Sequence, residues 1–331
     1  MDRPHPAGSR PLLIGCSDFA IPTRPRDLRM YQVLAAMRPV AEAPGVEEAD
    51  LLIYSDFGEA HRRAKGLKVY LTGENMVPDF NECDLAFSPV EIAGDRRAVR
   101  LPYYAQVLPL LGSLVRPAGW EPAATRQPGF CCFVASNPRG AMRNRFFKAL
   151  NRRSRVDSGG RHFNNLGHAI GDKRAFIGKY RFTMAFENSA SPGYITEKLV
   201  EPLVAGSIPI YWGAPDVGRE FDPGCMVDVG RFGEDMEAAA DHVMRVDKDE
   251  AVRRRMLSTP PFRENREPDC MRAEHLAEPL TWLVDEVRRP GPRSYSPRRL
   301  RSHVYSSRMS QATESLVCRL EGWLWKMGMR G

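Results

Sequence analysis

Short apolar runs of four or five residues, separated by longer mixed segments, dominate the first third of the chain: 11–15 (PLLIG), 51–54 (LLIY), 67–71 (LKVYL) and 84–87 (DLAF). They are apolar nearly throughout rather than alternating, which marks strands covered on both faces, as in a parallel sheet with crossovers. Residues 113–128 (SLVRPAGWEPAATRQP) carry three prolines and little periodicity, and are expected to form an interdomain linker. Beyond them the pattern predicts a strand over 130–135 and a helix over about 140–150. The fold class expected from these alternations is α/β.

The richest stretch is YRFTMAFENSASPGYITEKLVEPLVAGSIPIYWG, residues 180–213. Phe182 to Phe186 reads as a buried strand; Glu187, Asn188 and Ser189 fall where it ends, and Ser191-Pro192-Gly193 marks a turn. Thr196, Glu197 and Lys198 then open a helix to about Ala205, with Gly206 as its C-terminal cap and a second strand, Ile208 to Trp212, behind it. Ligands of open α/β sheets sit where strands end and helices begin, and a phosphate there gains from free amides, the helix dipole and a nearby lysine.

Composition narrows the classes. A chain of 331 residues suits two domains of ordinary size. No run approaches a membrane-spanning helix and the start lacks a signal-peptide hydrophobic region, so a cytoplasmic protein is expected. Seven scattered cysteines without a C-x-x-C pair indicate neither a disulfide framework nor a zinc site. The net charge of +7 resides in the tail: from Arg288 onward ten Arg/Lys oppose two Glu, leaving residues 1–287 near neutrality. That tail ends in a segment where Leu316, Leu320, Trp323, Leu324 and Met327 recur at helical spacing. Two readings stand for it: a basic amphipathic helix on an anionic membrane surface, or a helix docked on the protein body.

The 180–213 block resembles the donor-binding motif of the α-1,3-fucosyltransferases, glycosyltransferase family 10, in which FEN-S…YxTEK precedes IPIYWG. Phe130 to Leu150, Val156 to Gly167, Leu71 to Phe87 and Arg100 to Tyr104 are similar to other blocks of that family, in the same order. The resemblance implies two facing Rossmann-like domains (GT-B type) with a basic C-terminal amphipathic tail. Residues 1–120 are then an N-terminal acceptor-binding domain carrying the base, 128–287 a C-terminal GDP-sugar-binding domain, and 288–331 the tail. It also implies transfer of L-fucose from GDP-fucose to a hydroxyl of a glycan, O3 of GlcNAc in an N-acetyllactosamine-type acceptor, with inversion.

Such a reaction needs charge to hold a departing pyrophosphate and a base for the acceptor hydroxyl. Lys198 and Arg143 are the expected pyrophosphate contacts, Arg143 by match to the family's MRN pattern, with Arg139 and Arg145 as surface charges. The resemblance assigns Asn188, Tyr194 and Glu197 to the donor as well, although a tyrosine at such a junction also serves packing. Two roles are open to Glu187: supporting an oxocarbenium-like sugar, or holding the loop. The glutamate of GEN is Glu74, the base by resemblance, with Asp79 and Asp84 as nearby alternatives; partial burial is expected to raise its pKa. Asp247-Lys248-Asp249 is the one Asp-x-Asp spacing and lies in a helix-like segment, so no metal and no other cofactor is expected. Arg181 replaces the family's lysine, which leaves another GDP-sugar open as donor. The expected partners are GDP-fucose, a glycan acceptor and a membrane surface met by 288–331, with peripheral placement on the inner membrane; nucleic acid is not among them. The competing classes are a surface-binding module resting on the tail and an inactive relative that binds donor without transfer.

Overall fold

The computed structural model of the chain describes residues 10–122 and 127–286. The expected basic amphipathic tail at 288–331, with its membrane contact, lies outside the described residues.

Two compact units form, each around a parallel sheet. The first opens with β1 (Leu12–Ser17), α1 (Arg29–Met37), β2 (Val40–Glu42), β3 (Leu51–Tyr54), β4 (Leu67–Leu71), β5 (Leu85–Ser88), β6 (Ala98–Arg100) and the start of α2 (Tyr103–Leu111), which passes into the second unit at Val107. Its strands lie in the order β2-β1-β3-β4-β5-β6. β3 and β5 are buried at every position, as expected of unbroken apolar runs between helical layers. β2 and β6, three half-buried residues each, went unread in the sequence because VAE and AVR carry no apolar run.

The second unit contains β7 (Gly129–Phe133), α3 (Ala141–Arg153), β8 (Val156–Ser158), α4 (Lys173–Ile177), β9 (Tyr180–Phe186), α5 (Glu197–Ala205), β10 (Ile208–Trp212), β11 (Val227–Asp228), α6 (Met236–Lys248) and α7 (Glu250–Ser258). Its strand order is β11-β10-β9-β7-β8. Counted from the start of each unit, both sheets begin 2-1-3-4-5, the doubly wound order in which the connection reverses between the first and third strands. In the second unit that switch point lies between β7 and β9. Phe146, Phe147 and Leu150 of α3 and Ala239, Ala240 and Val243 of α6 cover the sheet, packing with Phe133, Phe182 and Phe186 in one core.

The division differs from the expected 1–120 and 128–287 in two places. The described residues from Pro268 onward, including α8 (Ala273–Glu286), belong with the first unit: α8 packs on α1, the Tyr104 hydroxyl meets Cys270 Sγ at 3.3 Å, and His275 Nε2 lies 2.7 Å from the Arg100 carbonyl. The expected linker, in its described part, is structured within the second unit. Leu114 is fully buried, and Arg116 and Asn265 exchange two hydrogen bonds of 2.8 and 2.6 Å. Prolines signal irregular backbone there, and burial with long-range pairing fixes it.

Candidate functional site

Glu187 follows the last residue of β9 and is fully buried, its amide donating to the Trp212 carbonyl at 2.8 Å. Its carboxylate accepts from both the amide and the hydroxyl of Thr196, each at 2.7 Å. Thr196 is the N-cap of α5, and its hydroxyl oxygen also accepts from the Lys198 amide at 3.3 Å and from Lys198 Nζ at 3.0 Å. The Lys198 ammonium sits 3.5 Å from Glu187 and 3.2 Å from Glu197. One threonine hydroxyl thereby couples a buried carboxylate, a helix start and a lysine whose side chain remains 25% exposed. Burial pushes the Glu187 carboxyl up to about 7, against the charge of Lys198 and the Thr196 hydrogen bonds. Glu197 is also pushed up by burial, yet the charges of Lys198 and Lys173 outweigh this and hold it below the ordinary carboxylate range.

Backbone shape around this cluster depends on two glycines. A Cβ on Gly213 would stand 2.5 Å from Glu187 Cγ and 2.6 Å from the Tyr211 hydroxyl, so the strand can pass Glu187 only without a side chain. Gly193 adopts φ +76°, and its amide donates to Asp216 at 2.7 Å. Between these points Tyr194 is 2% exposed. Its ring is packed within the protein in this structure.

Across the switch point, α3 brings in Arg143, which is 2% exposed. Its guanidinium donates to the Asn188 side chain at 3.5 Å, to the Asn137 carbonyl at 2.7 Å and to the Arg139 carbonyl. Asn188, by contrast, is exposed, and its side-chain oxygen joins the end of β9 to the start of α3. Behind Arg143, the Asn144 side-chain oxygen accepts from His162 Nε2 at 2.9 Å. Burial, reinforced by the Arg143 charge, lowers the His162 pKa to about 4, so the ring is neutral near pH 7. Arg145 is exposed and pairs with Glu234, while Arg139 is half-buried.

Arg143, Glu187, Asn188, Glu197 and Lys198 thus converge at the carboxyl edge of β7 and β9. Thr196, His162 and Asp216 join them, none of which the motif reading had placed in the site. The signal for Thr196 was present: a threonine in N-cap position directly before a Glu-Lys pair that opens a helix.

Glu74 lies in the first unit, beyond the end of β4. Its amide donates to the Thr72 hydroxyl at 3.0 Å, and both the Thr72 and Tyr70 hydroxyls donate to Asp56. The residue is exposed, not partly buried as expected. The two alternative carboxylates serve the backbone: Asp84 accepts from the Lys68 amide at 2.8 Å, and Asp79 from the Asn81 amide at 2.9 Å.

The Asp-x-Asp spacing also resolves into structural jobs. Asp247 pairs twice with Arg181, at 2.7 and 3.0 Å, and Asp249 caps α7 through the Val252 amide at 3.0 Å. Arg181 further donates to the carbonyls of Gln127 and Gly129, both at 3.3 Å. It stands at the opposite end of β9 from Glu187, roughly 20 Å away at ~3.3 Å per residue. The Arg181 side chain thereby clamps the sheet to α6.

Two family models match the chain. One, described as "Glycosyltransferase family 10 (fucosyltransferase) C-term", matches residues 124–259; the other, "Alpha-(1,3)-fucosyltransferase FucT N-terminal domain", matches 26–107. The alpha-(1,3)-fucosyltransferase FucT of Helicobacter pylori is 31% identical over 233 residues, covering 60% of this chain and 48% of that protein. A GDP-fucose protein O-fucosyltransferase 3 of Xenopus laevis is 38% identical over 78 residues, 23% of this chain and 16% of the other. The chain therefore spans about half the length, or less, of these curated relatives. A crystal structure of an alpha1,3-fucosyltransferase with GDP-fucose superimposes with TM-score 0.70 at 23% identity, covering 88% of this chain and 96% of that one, which gives a shared fold.

Proposed function

Because the chain belongs to glycosyltransferase family 10, we propose that it transfers L-fucose from GDP-fucose to a hydroxyl of a glycan acceptor. The observation that carries this reading is the convergence of Arg143, Asn188 and Lys198 with the N-terminus of α5 at the β7/β9 switch point. Two cations and a set of helix amides suit a nucleoside diphosphate, whose charge grows as the sugar departs. Glu197 beside Lys198 offers an acceptor for a ribose diol, in keeping with the donor contact that the family resemblance implies for it. Tyr194 is retained as a donor-site position through packing of the turn.

In the step itself the acceptor oxygen forms a bond to the anomeric carbon of fucose while the bond from that carbon to the pyrophosphate oxygen breaks. GDP leaves with the electron pair and the hydroxyl proton passes to Glu74. Attack from the face opposite the leaving group gives inversion. The acceptor position in this reading is the O3 hydroxyl of GlcNAc, as the resemblance of the 180–213 block implies. The reading needs no metal, because Arg143, Lys198 and the helix dipole supply the positive charge; it is supported by both Asp-x-Asp carboxylates being engaged with Arg181 and Val252. A cytoplasmic location, with the basic 288–331 segment at the inner membrane surface, is proposed on charge alone.

The test is GDP release from GDP-fucose with N-acetyllactosamine, in EDTA, for the wild type, Glu74→Ala and Lys198→Ala. Acceptor-dependent turnover is expected in the wild type, with losses of about 10²-fold or more in each variant. Full activity of Glu74→Ala would remove that residue from the role of base, and absence of wild-type turnover in EDTA restored by magnesium would overturn metal independence.

A further inference from the structure

Outside the site described above, the first unit holds a cavity of about 110 Å³ bounded by the start of α1, the end of β4, the segment after β6, and α2 and α8. At ~30 Å³ per water it has room for three or four water-sized groups. Its walls are mixed. Leu71, Leu101 and Leu276 form an apolar side, whereas Asp27, Arg29 and Gln106 bring polar groups to the same space.

Two of those polar groups are incomplete. Arg29 spends Nη2 on the Met271 carbonyl, but its Nη1 is buried with no hydrogen-bond partner among the described residues. Gln106 Nε2 is in the same condition. Buried donors without acceptors are rare and costly in native proteins, and two around one cavity call for a shared acceptor. The cavity adjoins Leu71, the last residue of β4, three residues ahead of Glu74.

We propose that this cavity receives the N-acyl group of the acceptor sugar. An acetamido group fits each wall: its carbonyl oxygen accepts from Arg29 Nη1 and Gln106 Nε2, its methyl meets the leucines, and its N–H has the Asp27 carboxylate as acceptor. A carboxylate ligand would satisfy the two donors but face Asp27 with like charge. A lone hydroxyl would leave the apolar side unfilled. The inference rests on the reading that Glu74 marks the acceptor side, and it turns a general glycan acceptor into one selected at its amide.

Saturation-transfer NMR of the full chain with N-acetyllactosamine observes the acetamido methyl directly and needs no turnover. GDP release with N-acetyllactosamine and with lactose, which differ only at that group, gives the selectivity. The wild type is expected to show strong methyl saturation and to prefer N-acetyllactosamine. Gln106→Glu, of the same shape but with an acceptor in place of the donor, should lower both the saturation and the kcat/KM ratio by about 3- to 10-fold. Gln106→Leu serves as a second variant, with melting temperatures checking that both are folded. A ratio unchanged in folded Gln106→Glu and Gln106→Leu would overturn the proposal. Turnover of GDP-fucose on both sugars without methyl saturation would also overturn it while leaving the transfer reading intact. Methyl saturation that depends on Gln106, without fucose transfer, would support the cavity and sink the transfer reading instead.

Discussion

Glu187 shows how one residue's environment sets its chemistry. Its motif position leaves a catalytic and a loop-holding role open; the geometry joins the second to a charge-positioning one, because the carboxylate grips Thr196 and faces the Lys198 ammonium. Burial lifts its folded pKa to about 7, above the ordinary value of 4.5. The folded state therefore holds a proton that the unfolded chain has released between those values, and stability present below pH 4.5 is lost as pH rises to about 7. Glu187→Gln removes this titration. Thermal melts of wild type and variant between pH 4.5 and 8 should differ in slope, the wild type losing about 2–3 kcal/mol relative to the variant across that range. Parallel curves would show that Glu187 titrates at its ordinary pKa. Exposure of Glu74, in contrast, was not readable from GEN, since a motif names a residue type and not its solvent contact.

At the scale of elements, α5 is where sequence signals and structure agree most closely. The run from Thr196 to Gly206 reads as cap, helix and left-handed C-cap, and the structure gives α5 as Glu197–Ala205 with Gly206 at φ +76°. The cap does more than start the helix, because its hydroxyl is also a ligand of Glu187. Thr196→Ala is expected to cost about 2–4 kcal/mol, the sum of a lost N-cap and a buried carboxylate deprived of a donor. Thr196→Ser should recover most of that cost, and denaturant unfolding measures both. A loss in Thr196→Ala no larger than about 1 kcal/mol would mean that only the cap matters. β7, α3, β9 and β10 were likewise legible within a few residues, because apolar runs and helical periodicity are local signals. β2 and β6 were not; short half-buried strands owe their existence to the neighbours that they pair with.

Across the whole molecule, the two sheets repeat one topology, and the site falls at the switch point that this topology creates. The same geometry places Arg181 at the far end of β9, away from the proposed donor groups. Arg181→Met is accordingly expected to lower stability by about 1–3 kcal/mol, through loss of a paired, partly buried guanidinium, while leaving the preference for GDP-fucose over GDP-mannose unchanged. Competition of the two donors, measured beside the melting curve, checks this; a changed preference at unchanged stability would return Arg181 to the donor site. By itself the sequence determined the α/β class, the main strands and helices, and the residue types of the proposed donor site, since periodicity, capping and turn chemistry act over a few residues. Only the tertiary structure decided that Arg143 and Asn188, 45 residues apart, would meet, that Glu187 would be desolvated, that Asp247 would answer Arg181, and that α8 would return to the first unit. Desolvation and long-range pairing have no value along an extended chain, and they arise when packing removes water and brings distant groups to one place.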